Sequence, residues 1–205
     1  MILRSIALAA IAATSAGAQA ALVTYAPWDT TYAGNGLAGV LFDVNTANGV
    51  TVALGAHAYK NGVALPNDGT NTFYAQNGIY VPDGKGYANW SFDFGFNLGS
   101  NCTGCKVLLG IDKDPSAGVN LVFGDITNHL PNLESWNMKM GFITSGVYNF
   151  DPYSASSTAF SLKVLDSAGN IITHSDITVN VPEPSSLALA GLALVGLAAA
   201  RRRKA

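Results

Sequence analysis

The sequence predicts an all-β fold: an antiparallel β-sandwich, with the jelly roll as the candidate type. Three observations carry this. The stretch ANWSFDFGFNL alternates apolar and polar residues with strict period two. Clusters of Gly, Asn, Asp and Pro break the chain into short extended segments at short intervals. No internal segment carries an apolar stripe at helical spacing.

The elements follow in order. Strands are expected near 22–26, 37–44, 50–58, 72–81, 106–111 and 119–126. In the clearest strand Ala88, Trp90, Phe92, Phe94, Phe96 and Leu98 fall on one face, and Asn89, Ser91, Asp93, Gly95 and Asn97 on a solvated one. SWNMKMGFIT repeats the device: Trp136, Met138, Met140 and Phe142 alternate with Asn137, Lys139 and Gly141. AFSLKVLDSAGNIITHSDITVNV reads as a hairpin that turns at Asp166 to Asn170. An aromatic inner face would fill the core, so no cofactor and no metal are expected.

The two ends are of another kind. MILRSIALAAIAATSAGAQA has a basic Arg4, a short apolar run and an Ala-Gln-Ala cleavage site, so residues 1–20 read as a signal peptide. At the other end stands VPEPSSLALAGLALVGLAAARRRKA. Ser185 to Ala200 is uncharged, and as a helix would rise roughly 24 Å at ~1.5 Å per residue. That is short of a bilayer core of about 30 Å, so the segment is a weak stop-transfer element. Arg201, Arg202, Arg203 and Lys204 would stay on the cytoplasmic side. Pro182 and Pro184 keep the preceding residues extended and readable by an enzyme. The chain thus divides into residues 1–20, a sandwich domain over 21–181 and a tail over 182–205.

Val181, Pro182, Glu183 and Pro184, the apolar run from Leu187 to Ala200 and the basic cluster from Arg201 to Lys204 together resemble the PEP-CTERM family of exported bacterial proteins. The resemblance implies sorting. Such tails are substrates of exosortase, a membrane-embedded enzyme with a Cys/Arg/His site that recognises Pro-Glu-Pro. The family is typical of Gram-negative bacteria that secrete exopolysaccharide. ESWNMKMGFI, and a C-terminal hairpin running straight into VPEP, resemble the bodies of many such proteins, which implies no activity. The tail is a substrate, so none of its residues is catalytic.

Without its ends the body keeps six basic residues, all lysine, and twelve acids, a net charge near −6. Such a surface argues against nucleic-acid binding, which needs a basic stripe, and against docking on anionic lipid. It suits a domain outside the cell.

Each internal motif has a plainer explanation. GNGLAG at Gly34 to Gly39 spells G-x-G-x-x-G, but a strand-like VLFDV follows where a dinucleotide site needs a helix. Cys102 and Cys105 in NCTGC are the only cysteines. For an exported chain a local disulfide is the default, with free or intermolecular thiols and a redox pair as alternatives. DKDPSAG sets Asp112 and Asp114 two residues apart, as a calcium loop can, but the EF-hand pattern fails and Pro115 suits a plain turn. His57, His129 and His174 are far apart, and HSD at 174–176 sends successive side chains to opposite faces. The tyrosines, Tyr25, Tyr32, Tyr59, Tyr74, Tyr80, Tyr87 and Tyr148 among them, fall mostly in turns or at strand ends, with Trp28. They either cover the ends of a sandwich or stack on sugar rings.

The expectation is a non-enzymatic secreted or cell-surface protein. Exosortase would process it after transient membrane insertion through the tail. It would then associate with extracellular polysaccharide in a matrix or biofilm. A carbohydrate-binding module is the alternative, and a secreted hydrolase a weaker one.

Overall fold

The computed structural model describes residues 21–24, 40–60, 63–100, 102–114, 118–129, 133–145 and 150–183, with Leu189, Leu192 and Ala193. Ten strands form two five-stranded sheets packed face to face. The first sheet runs, in spatial order, β1 (Val23–Thr24), β2 (Leu41–Ala47), β3 (Val50–Ala58), β5 (Trp90–Asn97) and β8 (Glu134–Trp136). The second runs β4 (Thr72–Tyr74), β10 (Ile171–Val181), β9 (Ser156–Leu165), β6 (Lys106–Asp112) and β7 (Leu121–Asp125). The chain forms an all-β sandwich.

The core follows from period two. Trp90, Phe92, Phe94 and Phe96 of β5 point inward and meet Phe160, Leu162 and Val164 of β9 and Ile177, Val179 and Val181 of β10. Phe92 stacks on Phe160 across the sheets, centroids 4.4 Å apart, and Trp90 meets Phe150 edge-on at 5.8 Å. Such pairs add roughly 0.5–1.5 kcal/mol beyond the area they bury. At the margin Ser175 Oγ donates to Asp43 Oδ2 at 2.7 Å and ties the sheets together.

Glycine marks two close approaches on the outer faces of the sheets. A Cβ on Gly55 would stand 2.6 Å from the Leu41 carbonyl oxygen and 2.9 Å from the Phe42 ring. A Cβ on Gly110 would stand 2.6 Å from the Phe123 ring. Both glycines let an aromatic ring lie flat on a sheet's outer face.

Four expectations need correction. One pairing is parallel: β4 runs with β10, Thr72 beside Thr178 and Tyr74 beside Asn180. The chain enters β4 from the other sheet, so no hairpin dictates its direction. The strand expected over 72–81 ends at Tyr74, because the chain leaves for the loop that carries the turn Val81–Asp83. The face of β5 expected to be wet is buried: Ser91 and Asp93 are shielded, and Phe42, Ala53 and Leu133 form a second apolar cluster with Val40. SWNMKMGFIT is a strand only to Trp136; a turn and the one-turn helix α1 (Gly141–Thr144) follow.

Asn137 breaks that strand. Its buried amide accepts from the Ala88 N–H at 3.0 Å and donates to the carbonyls of Ala88 at 3.0 Å and Trp90 at 2.8 Å. A side chain that replaces ladder bonds in this way ends the ladder. Signal residues 1–20, the first part of the strand expected over 37–44, Tyr25 of the strand expected at 22–26 and the glycines at Gly34 to Gly39 lie outside the described residues.

Two predictions follow from these bonds. Asn137→Ala leaves an N–H and two carbonyls unpaired in the interior, and should cost about 2–4 kcal/mol in denaturant unfolding. A cost within ~0.5 kcal/mol, as for an ordinary surface change, would show that this clamp holds nothing.

Asp166, Asp151 and Asp125 lie below the ordinary value of 3.8, because side-chain donors Asn170, Ser154 and Thr127 hold each charged form first of all. Their folded pKa is depressed, so the stability they add is fully present above 3.8 and is lost as pH falls below 3.8 and through the depressed folded value. Burial raises Asp43, which works in the opposite sense. The melting temperature should drop between about pH 4 and pH 2, less steeply in Asp166→Asn; an identical slope in the variant would refute the assignment.

Candidate functional site at the base of the tail

The tail leaves the middle of a sheet. On one side β10 pairs with β9 from Ile171↔Leu165 to Val181↔Ser156. On the other, Asn180 lies beside Tyr74, and the Asn180 carbonyl accepts from the Ala75 N–H at 2.9 Å. Val181 is buried, with its side chain in the core. Pro182 has no N–H to donate, so the ladder cannot continue through it. Pro182 and Glu183 are exposed. Residues of the sorting motif therefore begin where the fold ends, with no linker between.

Beside Pro182 lies a groove of about 490 Å³, lined among others by Leu65, Tyr74, Gln76, Tyr80 and Asn89. Its aromatic wall continues into a cluster. Tyr59 meets Tyr80 edge-on at 5.5 Å and Tyr87 at 5.6 Å. Lys60 Nζ stands 5.4 Å from the Tyr59 centroid, and Lys85 Nζ 5.8 Å from that of Tyr87. Burial, then a hydrogen bond to Asp83, pushes the Tyr59 hydroxyl well above its ordinary value, so it stays a donor. Tyr153 joins the same end: the Gly78 N–H donates to the Pro152 carbonyl at 2.6 Å, and Gly78 lies against the Tyr153 ring. All five tyrosines among the described residues gather at this end, brought there by separate connections.

The other sequence candidates are scattered. Cys102 and Cys105 are bonded to each other, on the connection from β5 to β6 at the opposite end. Asp112 is buried, and its Oδ1 accepts from the N–H of Asp114 at 3.4 Å and of Asn120 at 3.1 Å. It closes the β6–β7 turn; Pro115 and Ser116 lie outside the described residues. Among the described residues no group of three or more His, Cys, Asp or Glu could hold a metal. His129 and His174 sit near the surface, 3.3 Å from Glu134 and 3.6 Å from Asp176.

Sequence reasoning missed one pair. His57 Nδ1 lies 2.8 Å from Asp93 Oδ2, both buried on the outer face of the first sheet. Burial raises Asp93, and the bond to His57 works against it. The orientation is that of a triad's His–Asp half. Ser91, opposite His57, is also buried and accepts from the Asn137 amide at 3.3 Å. Among the described residues no serine hydroxyl is bonded to His57. The period-two pattern gives Asp93 and His57 to a solvated face, which is why the pair is invisible in the sequence.

The disulfide closes a very short loop, so Cys102→Ser with Cys105→Ser should keep the fold and cost about 2 kcal/mol or less. Loss of folding in the double variant would contradict a purely local role.

Val181 to Glu183 are described, as are Leu189, Leu192 and Ala193, which are helical and exposed. Pro184, most of the apolar run and Arg201 to Lys204 lie outside the described residues. Among the described residues no helix is long and apolar enough to cross a membrane. The family model of the PEP-CTERM protein-sorting motif matches residues 180–204. No match to the chain is found among the curated proteins or the solved structures. The match starts at Asn180, beside the groove, and covers the tail through Lys204. The chain is thus an exported, surface-targeted protein that carries the PEP-CTERM protein-sorting motif, with exosortase as its implied processing partner.

Proposed function

We propose that this is a non-enzymatic protein of the cell surface or extracellular matrix. The apolar tail holds it in the inner membrane for a time, and exosortase then processes it near Pro-Glu-Pro. The observation that carries this is the junction at Val181: Pro-Glu-Pro begins at the residue after an internal strand, and the motif match overlaps only that strand's last two residues. An enzyme can therefore take the tail without disturbing the body. In favour of a body without catalysis, the His57–Asp93 pair is buried and lacks a described serine on the imidazole. Association with the producer's own extracellular polysaccharide follows as the role of the released domain.

A carbohydrate-binding role has one specific support, the groove beside Pro182. Its tyrosines offer ring faces, and Gln76 and Asn89 offer amides, the pairing that sugar rings and hydroxyls require.

The sorting test compares the wild-type chain with Glu183→Ala in an exosortase-containing host, by intact mass from envelope and medium. The wild type should lose everything beyond the Pro-Glu-Pro region, and the variant should keep Arg201 to Ala205. Full-length wild-type protein in both fractions would refute processing. For the groove, Tyr74→Ala with Tyr80→Ala should abolish retention on the host's polymer; equal retention would remove the groove from the account.

A further inference from the structure

We propose that the tail-bearing end of the sandwich is a membrane-contacting face, seated in the headgroup region of the bilayer that holds the tail. The inference rests on the anchoring stage proposed above and adds an interaction surface to it.

Reach comes first. Val181 is locked in the sheet, and the apolar run begins at Leu187. Five residues lie between, which at full extension span at most about 17 Å. The headgroup layer on each side of the hydrocarbon core is roughly 5–8 Å thick. A body tethered so closely must present this end to the lipid.

Composition comes second. The end is built as an interfacial surface is built. Val81 is 73 % exposed, Val63 59 %, Tyr153 58 % and Tyr74 45 %. Tyrosines favour the headgroup level because one end of the ring is apolar and the other polar. The bonds already described put these four on one end. Val63 follows from the Ala58 N–H bonded to its carbonyl, and Val81 from the loop closed by Tyr80 N–H on the Tyr87 carbonyl at 2.8 Å.

Charge comes third. The body is acidic as a whole, which argued against anionic lipid. Yet three of its six lysines, Lys60, Lys85 and Lys139, stand at this end. Lys139 Nζ donates to the Phe150 carbonyl there at 3.2 Å. The acids at this end, Asp83, Asp151 and the exposed Glu183, keep their charges and offset these three lysines; Asp83 accepts from the Lys85 N–H at 3.1 Å, and Asp151 from Ser154 and the Tyr153 N–H. This end is close to charge balance, whereas the body as a whole is acidic. Lysines beside exposed tyrosines and valines match an anionic interface, where each cation adds attraction.

The test uses the mature full chain in vesicles of phosphatidylcholine with phosphatidylglycerol, and reads lysine labelling by an amine-reactive reagent with mass spectrometry. A second chain carries a long Gly-Ser insertion after Glu183, which frees the body from forced proximity. Lys60 and Lys85 should label about fivefold more slowly, relative to Lys106, with phosphatidylglycerol than without it, in both chains. Equal labelling of Lys60, Lys85 and Lys106 would overturn the contact, while alkaline-resistant retention of the chain leaves anchoring standing. Protection that vanishes in the insertion chain would also overturn it, because shielding would then be proximity alone. Release of the wild-type chain by alkaline carbonate would overturn anchoring and contact together.

Discussion

The backbone ladder that holds β10 between β9 and β4 is the constraint on which everything else depends. A terminal strand at a sheet edge frays, because half its hydrogen-bonding groups face water. Here the last strand is internal. Its inward residues, Ile177, Val179 and Val181, lie in the aromatic core, and its Ser175 joins the other sheet through Asp43. The final residue of the domain, Val181, is buried and paired with Ser156. This gives the tail a fixed point of departure, and makes body and tail separable.

That point of departure ties structure to sorting. Pro182 ends the ladder for want of an N–H, and Glu183 is in solvent one residue later. Pro182 and Glu183 are exposed just past the last strand, so both can be reached without unfolding the body. On the proposed anchoring, the same geometry sets which end of the sandwich faces the membrane. The five described tyrosines, Val63, Val81 and half the body's lysines are at that end, whereas the disulfide and the Asp166 turn are at the other. On the anchoring proposed above, a surface that meets the bilayer before processing would be free for other ligands afterwards, the groove at Tyr74 and Tyr80 included.

The legible parts of the sequence were those written in local pattern. Local pattern gives β3 and β5 to within two residues and the β9–β10 hairpin except for the first three residues of β9, and the turn at Asp166 follows from its Asp, Gly and Asn. The tail was legible because its three parts occur in order within 25 residues. What was hidden depends on partners distant in the chain. Asn137 looks like one more polar residue in an alternating run, yet its amide is spent on Ala88 and Trp90, nearly fifty residues away. Asp93 sits on a face that alternation assigns to water, and the second apolar cluster covers it. The parallel placement of β4 depends on a crossover, which leaves no periodic mark. The gathering of Tyr59, Tyr74, Tyr80, Tyr87 and Tyr153 has no sequence signal, since each comes from a strand end or loop whose position only the topology sets.

Hydrogen exchange of the mature chain, resolved along 171–190, tests the account most directly. The account predicts strong protection from Thr173 through Val181, comparable to β9, and an abrupt fall at Glu183. Progressive loss of protection from Ile177 onward would contradict it, because the sorting motif would then leave a frayed end and not a locked strand.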